Sequence, residues 1–166
     1  MKWGKRILIV FPILLLVAGI VLMGYLVSAR RQSVEYQFQV DAILGACSVA
    51  NGGEAVTDPE RCVTAEYQDR RTVVVPGNYL ALSTFLRRDA MMPFYAKMDR
   101  TEALKLTFCG QAELYAMPQR KGERVLIELN TGDARFLIQA RGGNLWKSLL
   151  ACCMEGTYHD ENIPLE

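Results

Sequence analysis

The sequence predicts an α+β fold. An N-terminal transmembrane helix precedes one mostly antiparallel β-sheet domain of about seven strands, which carries one internal and one C-terminal helix. The membrane helix is indicated by residues 7–27, an unbroken apolar run. At a rise of about 1.5 Å per residue this run reaches about 30 Å, the thickness of a bilayer's hydrocarbon core. The sheet is indicated by short segments of alternating apolar and polar residues, and the helices by apolar residues three and four positions apart.

The apolar run has a second interpretation as the core of a cleaved signal peptide, because residues 27–29 loosely fit a small-x-small cleavage site. Signal-peptide cores usually span about 7–15 residues, so the length favours a membrane anchor. More positive charge precedes the run than follows it, and this favours a single-pass protein with its C-terminal domain outside the cytoplasm. Gly24 and Ser28 form one small-xxx-small pair, which is common in membrane helices and could also be a dimer seam.

We divide the chain into a basic tip (1–6), the transmembrane helix (7–27), a juxtamembrane linker (28–32), an α+β domain (33–154) and a polar tail (155–166). After the apolar run, 16 basic and 18 acidic residues give a formal charge of −2. Such a domain has no global basic field, so no nucleic-acid partner is predicted.

The first predicted strand covers residues 33–41, where Val34, Tyr36, Phe38 and Val40 alternate with polar residues. The competing interpretation continues the membrane helix through this stretch. Strict alternation would scatter apolar groups around a helix, so the strand is preferred. A loop follows at residues 51–59, where Gly, Asn and Pro are frequent.

Residues 62–67 and 71–75 predict two strands, the second because it is rich in β-branched side chains. Asn78 is a plausible N-cap for a helix from Tyr79 to about Ala90, and Pro93 limits its continuation. Four further strands are predicted at 103–109, 112–117, 123–129 and 134–140. The last two flank a turn at residues 130–133 and form the clearest hairpin in the chain. Gly142 and Gly143 then break the sheet, and a helix over 145–154 should pack on it.

Residues 123–154, with Trp146 near the start of the last helix, resemble the end of a pleckstrin-homology-type barrel. In that fold a C-terminal helix closes one mouth of the barrel. The resemblance implies, as an alternative, a closed PH-like barrel that binds lipid or headgroups. It covers about a fifth of the chain, and no functional residue is carried over from it.

The pairing of the five cysteines depends on whether the domain lies in an oxidising or a reducing compartment. Outside the cytoplasm, Cys47 and Cys62 could bridge the glycine-rich loop, and Cys109 could reach Cys152 or Cys153. The alternative is that most are small buried apolar side chains. The odd count leaves at least one thiol unpaired within the chain, which favours a reducing compartment.

Other candidates for chemistry are few. Cys152 and Cys153 are adjacent at a helix end, where the dipole does not favour a thiolate, so core packing is preferred over redox chemistry. His159 is the sole imidazole and lies in the polar tail. Neither the cysteine spacing nor the histidine count suits a zinc site, and we predict no cofactor and no metal.

Paired basic residues could contact an anionic surface. They are Arg70 with Arg71, Arg87 with Arg88, and Arg120 and Lys121 with Arg124. If they converge they could hold lipid headgroups, at about 1 kcal/mol per basic residue near a charged membrane. The alternative is ordinary solvated charge, because acidic neighbours dilute each cluster.

These observations favour a membrane-anchored, non-enzymatic module that binds another protein or helps to assemble a membrane complex. A tether and a compact domain are visible in the sequence, and a catalytic constellation is not. Two alternatives remain, a thiol-dependent redox factor centred on Cys152 and Cys153, and an anionic-lipid-binding domain of the barrel type.

Overall fold

The computed structural model describes residues 3–52, 58, 60–88, 91–95, 97–119 and 123–155, of which 3–11 are described as backbone. The elements follow one another in the order α1 Trp3–Asn51, β1 Val63–Tyr67, β2 Arg70–Val73, a 3₁₀ turn Pro76–Asn78, α2 Tyr79–Leu86, β3 Met92–Pro93, β4 Leu104–Phe108, β5 Ala112–Pro118, β6 Arg124–Asn130, β7 Arg135–Arg141 and α3 Leu145–Met154.

Helix α1 is a single helix of 49 residues that contains the whole apolar run. Its most apolar window has a mean hydropathy of 2.3 and is only 6% buried within the protein. By length and composition, this helix could therefore cross a membrane. Pro12 lies inside it and is tolerated, as is usual in apolar helices.

The predicted strand at residues 33–41 is wrong, because α1 continues through it as helix. Residues 28–32, assigned to a linker, are helical too. Two apolar stripes explain the misleading alternation. Tyr36 and Val40 are four residues apart and buried, whereas Val34 and Phe38 are four residues apart and exposed. Extending an existing helix needs no new nucleation, and no Gly or Pro interrupts α1 between Gly24 and Gly45.

The seven strands form one antiparallel sheet in the order β2-β1-β4-β5-β6-β7-β3. The α+β class and a sheet of seven strands are confirmed. One of the seven, β3 (Met92–Pro93), was not predicted, and the predicted strand at 33–41 is not among them. The sheet is open, with β2 and β3 at its edges, so the alternative of a closed barrel is wrong. The hairpin of β6 and β7 is confirmed, with Asn130 opposite Arg135.

The inner face of the sheet is covered by the three helices. Tyr36 of α1 meets the ring of Phe136 edge-on at 6.2 Å between centroids, and Trp146 of α3 meets Tyr67 at 5.7 Å. The central inward side chains of the sheet are fully buried beneath them. They include Leu104, Leu106, Leu114, Ile127, Leu129 and Ile138.

The outer face of the sheet is crossed by the segment between β3 and β4, of which residues 94, 95 and 97–103 are described. Strand β3 lies at an edge beside β7, whereas β4 lies between β1 and β5. The connection between them must therefore pass over β7, β6 and β5. Met98 in this crossing segment is 4% exposed, so the segment packs down on the strands.

Candidate functional site

Three cysteines converge where α1 ends. Cys47 lies beside Cys109, with a Cα–Cα distance of 5.8 Å, which is within the range of a disulfide. Cys62, the partner expected from the sequence, is buried and free. It lies opposite Cys109, because the Cys109 N–H donates to the Cys62 carbonyl at 2.9 Å. The pairing found, Cys47 with Cys109, therefore differs from the expected bridge between Cys47 and Cys62. Cys109 lies beside Cys47, whereas it was expected to reach Cys152 or Cys153.

Polar contacts at the same place join the end of α1 to the domain. The Tyr79 hydroxyl accepts hydrogen bonds from the Asn51 side-chain amide at 3.1 Å and from the Val63 N–H at 3.2 Å. The Arg61 guanidinium donates to the Ala50 carbonyl at 3.0 Å. Burial raises the pKa of Tyr79 and of Cys62, so both groups stay protonated near neutral pH. The contacts indicate a structural junction and not a reactive thiol site.

Cys152 and Cys153 belong to the core, being 1% and 2% exposed. Their carbonyls are held by side chains from elsewhere in the domain. Asn78 donates to the Cys152 carbonyl at 2.9 Å and Thr72 donates to the Cys153 carbonyl at 2.8 Å. The hydrogen bond between the two thiols, together with burial, holds the pKa of Cys153 well above its usual value. A buried, protonated thiol is a poor nucleophile.

The predicted basic pairs lie on different faces. Arg70 and Arg71 are exposed on edge strand β2 and line an outer-face groove of about 400 Å³. Arg87 follows α2 on the helical side and pairs with Asp41 of α1 at 3.0 Å, and Arg88 lies against Gly142. The structure thus does not bring Arg70 and Arg71 together with Arg87 and Arg88. Arg120 and Lys121 lie outside the described residues, as does His159.

A buried carboxylate on the outer face was not predicted. Glu128 of β6 is fully buried under the crossing segment. Arg100 from that segment binds both carboxylate oxygens, and Arg135 of β7 binds Oε1 at 2.8 Å. Burial alone would raise the pKa of Glu128, but the hydrogen bonds from the two arginines outweigh it and hold the pKa below its ordinary value.

The ion pairs continue across the sheet. The Arg100 guanidinium lies 4.4 Å above the Tyr115 ring centroid, the Tyr115 hydroxyl donates to Glu113 at 2.9 Å, and Lys105 pairs with Glu113 at 2.8 Å. Each of these two carboxylates is thus matched by a basic group. The network fastens the crossing segment to the strands. From the sequence, Glu128 had been one polar position of an alternating strand, with no signal of its burial.

A second unpredicted feature is an exposed apolar stripe on α1. Val34, Phe38 and Val49 are 58%, 66% and 83% exposed, and the exposed Ala42 and Gly45 lie between them at helical spacing. The stripe lies opposite the buried one that faces the sheet. Three residues before Val34, this side of the helix carries the exposed Arg31, and Ser28 and Gly24 lie further back on it. The i, i+4 spacing of Val34 and Phe38 was the available signal, and it was assigned to a strand.

Among the described residues, no group of three His, Cys, Asp or Glu side chains could hold a metal ion. In comparisons with known proteins, no family model, no curated protein and no solved structure matches this chain.

Proposed function

We propose that this protein is a single-pass, membrane-anchored, non-enzymatic module that binds another protein through the exposed stripe of α1. The single observation that carries the proposal is this stripe of Val34, Phe38, Ala42, Gly45 and Val49. It lies on the stalk between the apolar run and the end of α1, where a membrane-embedded partner would meet it.

The chemistry of the stripe specifies the kind of partner. Its residues are spaced by four, four, three and four, which is the spacing of a helix–helix seam. Ala42 and Gly45 are small enough for a second helix to approach closely. Burying a side chain such as Val34, Phe38 or Val49 contributes about 1.5–3 kcal/mol. The partner is accordingly another protein that presents an apolar helix face alongside the stalk.

Anchorage and compartment complete the proposal. The apolar part of α1 is long enough to span a bilayer and is scarcely buried in the protein, which supports a signal-anchor. The charge balance around the run favours a domain outside the cytoplasm. The disulfide-range spacing of Cys47 and Cys109 supports the same compartment, because disulfides persist in oxidising surroundings.

The alternatives have less support. A thiol-dependent redox factor needs an accessible thiolate, whereas Cys152 and Cys153 are buried. An anionic-lipid-binding domain would gain most from convergent basic residues, whereas the arginines of β2 and those after α2 lie on different faces.

The test uses the full-length protein in its own membranes with a photo-crosslinking residue at position 38. Leu80 of α2 is the matched control, because it is apolar and 79% exposed but lies off the stripe. The proposal expects one discrete, stoichiometric adduct from position 38 and none from position 80. Phe38→Ser should abolish co-purification of that adduct's protein from mild detergent. Recovery of the full-length chain alone, with no adduct at position 38, would count against protein binding.

Topology has its own measurement. Leu80→Cys introduces an exposed thiol, whereas Cys62, Cys152 and Cys153 are buried. A membrane-impermeant maleimide applied to intact cells should label this variant and leave the wild type unlabelled. Labelling that appears only after the cells are permeabilised would place the domain in the cytoplasm.

A further inference from the structure

An aromatic contact joins the folded domain to the apolar run. The ring of Tyr95, which follows β3, lies 6.2 Å from the ring of Tyr25 between centroids, at an interplanar angle of 47°. Tyr25 is part of residues 7–27 and lies two positions before its end. The domain therefore reaches down to the level at which α1 would leave the hydrocarbon.

The path of the chain between β3 and this contact runs along α1. The Ser33 hydroxyl donates to the Met91 carbonyl at 3.4 Å, and Tyr95 meets Tyr25 eight helix positions earlier. Eight positions cover about 12 Å along a helix axis. Four residue steps of extended chain cover about 13 Å. Residues 91–95 thus descend α1 from Ser33 to the end of the apolar run.

We propose that residues 92–95 are seated in the interfacial region of the bilayer, with Tyr95 beside Tyr25 at the level of the lipid headgroups. This inference rests on the proposed membrane anchorage and adds a second contact with the bilayer. A domain held only by α1 could tilt with the stalk, whereas two contacts fix which side of the domain faces the lipid.

The chemistry of the segment fits lipid as the occupant. Tyr95 is 65% exposed and Met92 is 46% exposed in the protein alone. Tyrosine is enriched at membrane interfaces, where its ring lies in the apolar boundary and its hydroxyl in water. Arg30 and Arg31 are exposed one turn beyond the run, where they can meet headgroup phosphates. A cleft of about 260 Å³ opens beside Tyr95, and its lining includes Gln32 and Phe94.

The opposite end of the domain supplies an internal reference. Helix α2 starts beside Asn51, because Tyr79 accepts a hydrogen bond from that residue. Asn51 lies 24 helix positions beyond Val27, or about 36 Å along the axis. Leu80 is 79% exposed at this distal end. It is thus an apolar, exposed position that the bilayer cannot reach.

The experiment measures the depth of a fluorescent label on full-length protein in phosphatidylcholine nanodiscs. Tyr95→Cys, Met92→Cys and Leu80→Cys are labelled separately, and the wild type measures the background from its buried thiols. One quencher is a phosphatidylcholine with a nitroxide near the carbonyl end of its acyl chain, and the other is aqueous iodide. Labels at positions 95 and 92 should be quenched several-fold more by the nitroxide lipid, and several-fold less by iodide, than the label at 80.

Two results would overturn the interfacial position of residues 92–95 and leave the membrane anchorage intact. In an incorporated chain, labels at 95 and 92 that behave like the label at 80 would place the segment in water. Protection of these labels from both quenchers would mean that protein, such as a second copy, covers the segment. A chain that fails to enter nanodiscs would overturn the anchorage together with the seat. The labels at positions 92 and 95 are measured in separate variants. If one variant fails to fold, the quenching of the other label still tests the proposal.

Discussion

Removing the charge of Glu128 should destabilise the protein less than removing the two arginines that hold it. Glu128→Gln keeps the shape of the side chain and loses the charge assistance of its hydrogen bonds, which are worth about 1.5–3 kcal/mol each when charged. The side chains of Arg100 and Arg135 are 44% and 53% exposed, so their freed guanidinium groups regain water. We expect a net loss of about 1–2 kcal/mol.

The double variant Arg100→Met/Arg135→Met leaves a fully buried carboxylate without an opposing charge. Breaking a buried pair in this way costs about 3–5 kcal/mol. The carboxylate escapes by taking up a proton. At pH 7, 2.5 units above its ordinary pKa of 4.5, protonation costs about 3.4 kcal/mol at about 1.36 kcal/mol per unit. The two routes to the cost agree, so we expect a loss near 3.5 kcal/mol.

Glu128 makes the free energy of unfolding depend on pH with opposite signs in the wild type and in the double arginine variant. In the wild type the pKa of Glu128 is lowered, so its contribution is complete above 4.5 and is lost as the pH falls through the folded-state pKa. In the double variant the pKa of Glu128 is raised, so the folded state gains stability as the pH falls from 7 toward 4.5. Between pH 7 and pH 5 the gap between the two proteins should close by about 2.7 kcal/mol.

The assay is denaturant unfolding in detergent at pH 7 and pH 5, followed by the fluorescence of Trp146, whose ring packs against Tyr67. Adding Glu128→Gln to the double arginine variant should restore most of the lost stability, because no buried charge then remains. A larger loss of stability for Glu128→Gln than for the double variant, or a gap between wild type and double variant that does not change with pH, would contradict this assignment of the buried charge.

Three further outcomes are expected, each with an internal control. Cys47→Ser should lower the free energy of unfolding by about 4 kcal/mol under oxidising conditions, the chain-entropy value for a separation of 62 residues, and by little in dithiothreitol. Cys62→Ser leaves the pair intact and should migrate like the wild type on a non-reducing gel. A wild-type migration that reductant does not change would contradict the pairing. Tyr36→Phe should be neutral or slightly stabilising in thermal unfolding, since its buried hydroxyl has no hydrogen-bond partner among the described residues. Tyr79→Phe removes the acceptor of two buried donors and should lower the free energy of unfolding by about 1–3 kcal/mol. Equal effects of the two substitutions would contradict this hydrogen-bond assignment. The thiols of Cys152–Cys153 should react with a maleimide only after denaturation, and rapid labelling of the native protein would revive the redox alternative.

Local patterns predicted the second half of the domain well. The hairpin of β6 and β7 was predicted because its turn residues and its alternation agree. Helix α3 was predicted over the same residues that the structure shows, Leu145–Met154, because a Gly pair precedes its apolar stripes. In these segments the chain specifies its structure through neighbours in sequence, so no distant contact is needed to decide it.

Strand β3 shows why other segments were missed. Met92–Pro93 is only two residues long and has no alternation to detect. It is a strand because β7 offers it an open edge, with Met92 opposite Gln139, and proline is tolerated there because an edge strand has a free side. A long-range partner thus decided its conformation.

The sequence by itself determined the apolar N-terminal helix, the α+β class and six of the seven strands, because each follows from composition or from a period of two or of three to four residues. Only the tertiary structure decided that residues 33–41 are helical, that Cys47 meets Cys109, that Glu128 is buried beneath Arg100, and that Tyr95 lies beside Tyr25. Each of these depends on groups that are distant in the chain or on the helix from which a segment continues. A short pattern of apolar residues records which positions prefer to be buried, whereas the surface that buries them exists only after the chain has folded.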